Sequence, residues 1–115
     1  MMAAMIKITA RVVTKGERAF GPGKAQLLEH IATEGSISKA AKAMEMSYSR
    51  AWQLVDSMNT HFRKPLVEPK TGGKKGGGAA LTRAGQEVLS LYRKLEQRLA
   101  VDAEAYFTEF EKRLK

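Results

Sequence analysis
Apolar and polar positions divide the chain of 115 residues into one alternating stretch followed by several helical ones. From Met5 to Thr14, Ile6, Ile8, Ala10 and Val12 alternate with Lys7, Thr9 and Arg11, the period of two that predicts a half-buried strand. Lys15-Gly16 breaks the alternation, and Phe20-Gly21-Pro22-Gly23 reads as a turn. Pro22 suits the start of a helix, where its missing N–H is no loss. That helix is predicted to run to about Glu34, with Leu27, Leu28 and Ile31 inward and Gly35 ending it. Ser36 is placed to cap a second helix whose Ile37, Ala40, Ala41 and Met44 share one face. Glu45 and Met46 form a turn, and Ser47 caps a third helix, with Met46 able to pack on Ala51.

On a wheel of about 100° per residue, Tyr48, Ala51, Trp52, Leu54, Val55, Met58 and Phe62 occupy one arc of this third helix. Ser49, Arg50, Gln53, Asp56, Ser57, Thr60 and His61 fill the opposite arc. The helix is anchored along one side and offers small polar groups, one Arg and one Gln on the other. Its small-faced predecessor (Ala40, Ala41, Ala43) allows close approach. A short helix, a brief turn and a second helix with a polar outer face predict a helix-turn-helix, whose second helix enters the DNA major groove. The alternative is a helical hairpin whose polar face simply meets water.

Pro65 ends the third helix. Leu66-Val67-Glu68 reads as a short strand, Lys70 to Gly78 (KTGGKKGGG) as a glycine-rich basic tip, and Ala79 to Thr82 as the returning strand. Together they predict the wing of a winged helix. Glycines let backbone N–H groups approach phosphates closely, and the lysines supply charge. The G-x-x-x-x-G-K-[ST] spacing of a nucleotide-binding loop is absent. A flexible interdomain linker is a poor fit, because only helix follows. From a Thr82 cap onward, Val88, Tyr92, Leu95, Leu99, Ala103, Tyr106, Phe110 and Leu114 keep one side of a helix, with steps of eleven at 88, 99 and 110. Asp102 is a second possible cap, so the pattern leaves continuity there open. Unbroken, this helix would reach about 48 Å, longer than the body of a domain of this size. A second copy of the chain is expected to cover the stripe, through Val88, Tyr92, Leu95, Leu99, Tyr106 and Phe110; the alternative is that the last third folds back on its own domain.

The expected fold is therefore mainly α with a small β-sheet. It is a winged helix-turn-helix over residues 1–82, with a long C-terminal dimerisation helix over residues 83–115. A hydrophobic fraction of 43% argues against disorder, and the absence of cysteine removes disulfides and thiolate chemistry. No segment approaches the ~18 apolar residues of a membrane span, and the N-terminus lacks the pattern of a signal peptide. A cytoplasmic protein with no membrane association follows. The net charge of +8 suggests a polyanionic partner. The excess flanks the paired helices: residues 1–24 carry +4, residues 25–62 carry −1, residues 63–83 carry +5 and residues 84–115 are neutral. Two well-separated histidines, with no carboxylate pair or metal-ligand spacing, leave little on which to build an enzyme, a metal site or a cofactor site. His30 is expected at a helix surface, without a chemical role.

The runs GSISKAAKAMEMSYSRAWQLVDSMN and TGGKKGGGAALTRAGQ, with LVE between them and a long helix after, resemble the N-terminal DNA-binding domain of the ModE family of molybdenum-dependent transcriptional regulators, itself similar to the LysR-type winged helix. The resemblance covers roughly residues 5–99. It implies a dimeric winged helix-turn-helix that binds operator DNA near genes for molybdate uptake and molybdenum enzymes. Full-length members carry C-terminal oligomer-binding-like domains that hold molybdate. No residue here corresponds to an oxyanion ligand of those domains, so a single-domain member is expected, with no molybdate bound by this chain.

Within this frame Ser49, Arg50 and Gln53 are the expected readers of bases, Arg pairing with guanine O6/N7 and Gln with adenine N6/N7. Ser36, Lys39, Ser47 and Tyr48 are expected at phosphates near helix N-termini, although Tyr48 lies on the inward arc and is equally open to a core role. Trp52 is expected as a central packing residue. Lys70, Thr71, Lys74 and Lys75 are expected on the DNA backbone beside the recognition helix. A non-specific nucleoid or RNA-binding basic protein is the rival reading, and it predicts no preferred site.

Overall fold
A computed structural model describes residues 3–70 and 77–115. Strand β1 (Val12–Thr14) pairs antiparallel with β2 (Glu17–Phe20), and helices α1 (Pro22–Glu34), α2 (Ile37–Ala43) and α3 (Tyr48–His61) follow. Strand β3 (Val67–Lys70) pairs antiparallel with β4 (Gly78–Leu81), and α4 (Arg83–Glu111) completes the chain.

The helix limits follow from local chemistry. The Ser36, Ser47 and Thr82 hydroxyls accept from the backbone N–H of Lys39, Arg50 and Gly85 respectively, each capping its helix as the sequence predicts. Gly35 closes α1 at φ +79°, a conformation that costs residues with a Cβ. Its N–H donates to the Ile31 carbonyl, and its own carbonyl accepts from Ala79 N–H at 2.9 Å. One glycine thus ends α1 and docks the β3–β4 ribbon against it.

Phe20, Leu27, Leu28, Ile31, Met58 and Leu66 form the fully buried centre, with Ala40, Ala41 and Ala51 lining the contact between the paired helices. The N-terminal third departs from expectation. Only Val12–Thr14 of the alternating stretch forms a strand, and Ile6, Ile8 and Val12 remain exposed. Lys15 and Gly16, both at positive φ, make a two-residue hairpin turn and not a break. Phe20, read from the sequence as part of a turn, ends β2 in the core, where its ring meets Phe62 and Tyr92 edge-on at 6.0 and 5.2 Å.

Helix α4 is continuous through Asp102. Its first turns are locked onto the body at Gly85, where an added Cβ would collide with the Leu66 carbonyl. Val88, Leu89 and Tyr92 then pack into the same core as α1, so the start of the segment assigned to dimerisation also serves the body. The far half projects. The radius of gyration is 17.1 Å, against about 13 Å for a compact chain of this length.

Candidate nucleic-acid interface
Helix α3 turns its apolar arc to the core through Ala51, Val55 and Met58, while Ser49, Arg50 and Gln53 stand exposed on the other side. Among the described residues the Arg50 guanidinium and the Gln53 amide have no hydrogen-bond partner, so both can reach a ligand. Lys39 and Ser47 are exposed and Ser36 is half-buried. The two capping hydroxyls spend acceptor capacity on N–H groups and keep a donor for a phosphate oxygen.

The apolar arc is wider than its contact with the core. Tyr48 is exposed, and Trp52 is 49% exposed, which overturns its expected role as a central packing residue. At 100° per residue Trp52 lies about 120° round the helix from buried Met58, on the edge facing the β3–β4 ribbon. An open cleft of about 320 Å³ separates the two there, lined by Tyr48, Trp52 and Asn59 on the helix and by Val67, Pro69 and Gly78 on the ribbon. The cleft is bridged at one end. The Asn59 amide oxygen accepts from the N–H groups of Leu66 and Val67, at 2.8 and 3.2 Å, and its amide nitrogen donates to the Val67 carbonyl at 3.1 Å. Asn59 fixes the ribbon relative to α3, a role that sequence reading missed. The available signal was an Asn standing within an otherwise apolar arc. Lys70, at the end of β3, is exposed; Thr71, Lys74 and Lys75 lie outside the described residues.

Along the opposite edge of α3 lies a second cleft, of about 410 Å³, lined by Arg11, Arg18, Lys24, Arg50, Gln53 and Ser57 among others. The Lys24 ammonium donates to the Arg18 carbonyl at 2.7 Å, to Ser57 Oγ at 3.0 Å and to the Ala19 carbonyl at 3.3 Å, tying the β1–β2 hairpin to α3. A second tie joins His61 Nε2 to the Glu17 carboxylate at 2.7 Å. Burial, and then the nearby charge of Arg50, hold the Lys24 pKa below the ordinary lysine value, with Glu17 opposing.

Of the stripe assigned to a dimer partner, Tyr92 requires correction. It is 3% exposed, its ring packs on Phe20, and its hydroxyl donates to the Ala10 carbonyl at 2.8 Å. Its own chain occupies it fully, and burial, followed by the Glu96 charge, raises its pKa. Val88 and Leu99 are half-buried within the single chain. Leu95, Tyr106 and Phe110 are exposed, the last two by 71% and 62%.

A capped helix pair with a polar outer face, flanked by a two-stranded ribbon, defines a winged helix-turn-helix. The chain belongs to the lysR family of bacterial regulatory helix-turn-helix proteins, whose family model matches residues 23–86. It is 50% identical over 76 residues to the DNA-binding transcriptional dual regulator ModE of Escherichia coli (strain K12), covering 66% of this chain and 29% of that protein. It is 44% identical over 78 residues to the molybdenum transport protein ModE of Azotobacter vinelandii, covering 68% of this chain and 29% of the relative. The chain thus matches less than a third of the length of these relatives. The crystal structure of a CbnR DNA-binding domain–DNA complex superposes with a TM-score of 0.57 at 17% identity, covering 76% of this chain and 94% of that one, a likeness of fold.

Proposed function
We propose that this chain is a sequence-specific transcriptional regulator of the ModE type that binds operator DNA as a homodimer, acting on genes for molybdate transport or molybdenum enzymes. The observation that carries the reading is the exposed ridge of Ser49, Arg50 and Gln53 on a helix whose other side is anchored in the core. The reading also draws support from ModE relatives at 44–50% identity over this region. Ser49, Arg50 and Gln53 read base edges, while Ser36, Lys39, Ser47, Tyr48, Lys70, Thr71, Lys74 and Lys75 hold the backbone. The exposed Leu95, Tyr106 and Phe110 on projecting α4 support the homodimer. Two-fold symmetry would then set the recognition helices about 34 Å apart, one turn of DNA. Residues 1–82 act as the reading head and residues 83–115 chiefly as the dimerising segment. The protein works in the cytoplasm, as a binder without enzymatic chemistry; among the described residues no helix is long and apolar enough to cross a membrane.

Selection of bound fragments from genomic DNA tests the reading, followed by titration of variants against the selected site and a random duplex. Arg50→Ala is expected to cost about 1–3 kcal/mol on the selected site and little on the random one. Lys74→Ala with Lys75→Ala is expected to weaken both alike and flatten the salt dependence. Equal losses on the two duplexes for Arg50→Ala, or selection without enrichment, would favour a non-specific basic protein.

A further inference from the structure
The recognition helix has two flanks, and the wing accounts for one of them. On the other lies the β1–β2 hairpin, outside the residues 23–86 matched by the family model. The charge of residues 1–24, +4 in total, has no role in the function proposed above. The fold gives Arg11, Arg18 and Lys24 of that segment one. Arg11 lies across Gly21, with a guanidinium nitrogen 3.3 Å from where a Cβ on that glycine would stand. Arg11 and Arg18 both line the cleft beside Arg50 and Gln53. Among the described residues neither guanidinium makes an ion pair or a hydrogen bond. Lys24 has committed its three protons to two carbonyls and a hydroxyl, so it positions the hairpin and adds charge without being the grip. The one carboxylate on the hairpin, Glu17, is held by His61. The result is a concave site rimmed by three free guanidiniums, with no anion of the described chain to satisfy them.

We infer that the β1–β2 hairpin is a second DNA-gripping arm, in which Arg11 and Arg18 hold a backbone phosphate on the side of the recognition helix opposite the wing. The occupant follows from chemistry and position. Guanidinium forks match phosphate oxygens. The site shares Arg50 and Gln53 with the ridge, so a duplex seated on the ridge carries a strand past the cleft mouth. Wing and hairpin then straddle α3, each pinned to it by its own clip: Asn59 on one edge, and Lys24 with Ser57 on the other. This arm rests on the DNA-binding reading but not on sequence specificity.

The test compares the unmodified chain with Arg11→Ala/Arg18→Ala and Arg11→Lys/Arg18→Lys on a random and a selected duplex, titrated across a potassium chloride series. The alanine pair is expected to bind both duplexes roughly tenfold more weakly, with a salt slope flatter by about 0.9 for each phosphate released. The lysine pair keeps most of the slope. Hydroxyl-radical footprinting is expected to lose protection only on the strand farther from the wing. Both side chains are exposed, so the unfolding midpoint stays unchanged. Arg18→Gln alone, which leaves Arg11 on Gly21, reads the same change at about half size. Unchanged slope and footprint in the alanine pair would overturn the arm, as would an equal loss in the lysine pair. Inorganic phosphate saturating backbone amide shifts at the cleft while the DNA footprint stays intact would reassign the site to a small anion. Failure of the wider reading looks different: the unmodified chain would then enrich no site, whatever its salt slope.

Discussion

The two halves of α4 obey one pattern and meet different fates. Over its first turns Gly85, Val88, Leu89 and Tyr92 are absorbed by the body, with Gly85 backed against the Leu66 carbonyl and Tyr92 wedged on Phe20. Farther along, Tyr106 and Phe110 hold comparable positions on the same helix yet stand 71% and 62% exposed. Between the two halves the N-terminal arm intervenes, running beside Leu99 and Ala103 through Ile6 to Ala10. Arg93 marks the changeover, paired with Glu29 of α1 and with Glu96 at 2.6 Å; those hydrogen bonds, Glu96 foremost, raise its pKa. Periodicity thus says which side of a helix is apolar, but not what covers it.

The contrast can be broken by substitution, and the largest effect is expected in the near half. Tyr92→Ala removes a ring buried among Phe20 and its neighbours. It should cost the protomer about 3–5 kcal/mol, read by denaturant unfolding. Gly85→Ala comes next. Its methyl meets backbone and not a flexible side chain, so α4 must lift off Leu66; a loss of roughly 2–3 kcal/mol is expected, with a lower thermal midpoint. Tyr106→Lys with Phe110→Lys should change protomer stability least, within about 0.5 kcal/mol. Yet it should convert a dimer to monomers in sedimentation and weaken operator binding. If that pair instead unfolds the body, the two halves are one cooperative unit and the contrast fails.

Much of the paired-helix region was legible because its signals are local. Serine and threonine caps, the Pro22 and Gly35 punctuation and the helical period of residues 48–62 each act within a turn or two, and the structure follows them. The exposure of Ser49, Arg50 and Gln53 was legible for the same reason. The misreadings concern contacts between elements, at separations from seven positions to 82. Alternation from Met5 to Thr14 suggested one long strand, but β2 offers only enough backbone to pair its last three residues. Trp52 sits on an apolar arc, but the core ends before reaching it. Asn59 gave no sign of which backbone it would clamp, because Leu66 and Val67 lie beyond the chain reversal at Pro65.

By itself, then, the sequence determined what a few neighbouring residues can settle through hydrogen bonds and helical phase: three capped helices, a glycine-ended α1, an apolar stripe over residues 88–114 and a surplus of positive charge on either side of the paired helices. Tertiary structure decided which of those apolar positions the protomer uses. It placed Tyr92 inside and Trp52 outside, and it set Arg11, Arg18 and Lys24 beside α3. Burial is a competition among all surfaces for one core, and a contact spanning 82 positions, such as that of the Tyr92 hydroxyl with the Ala10 carbonyl, leaves no trace in the residues on either side of it.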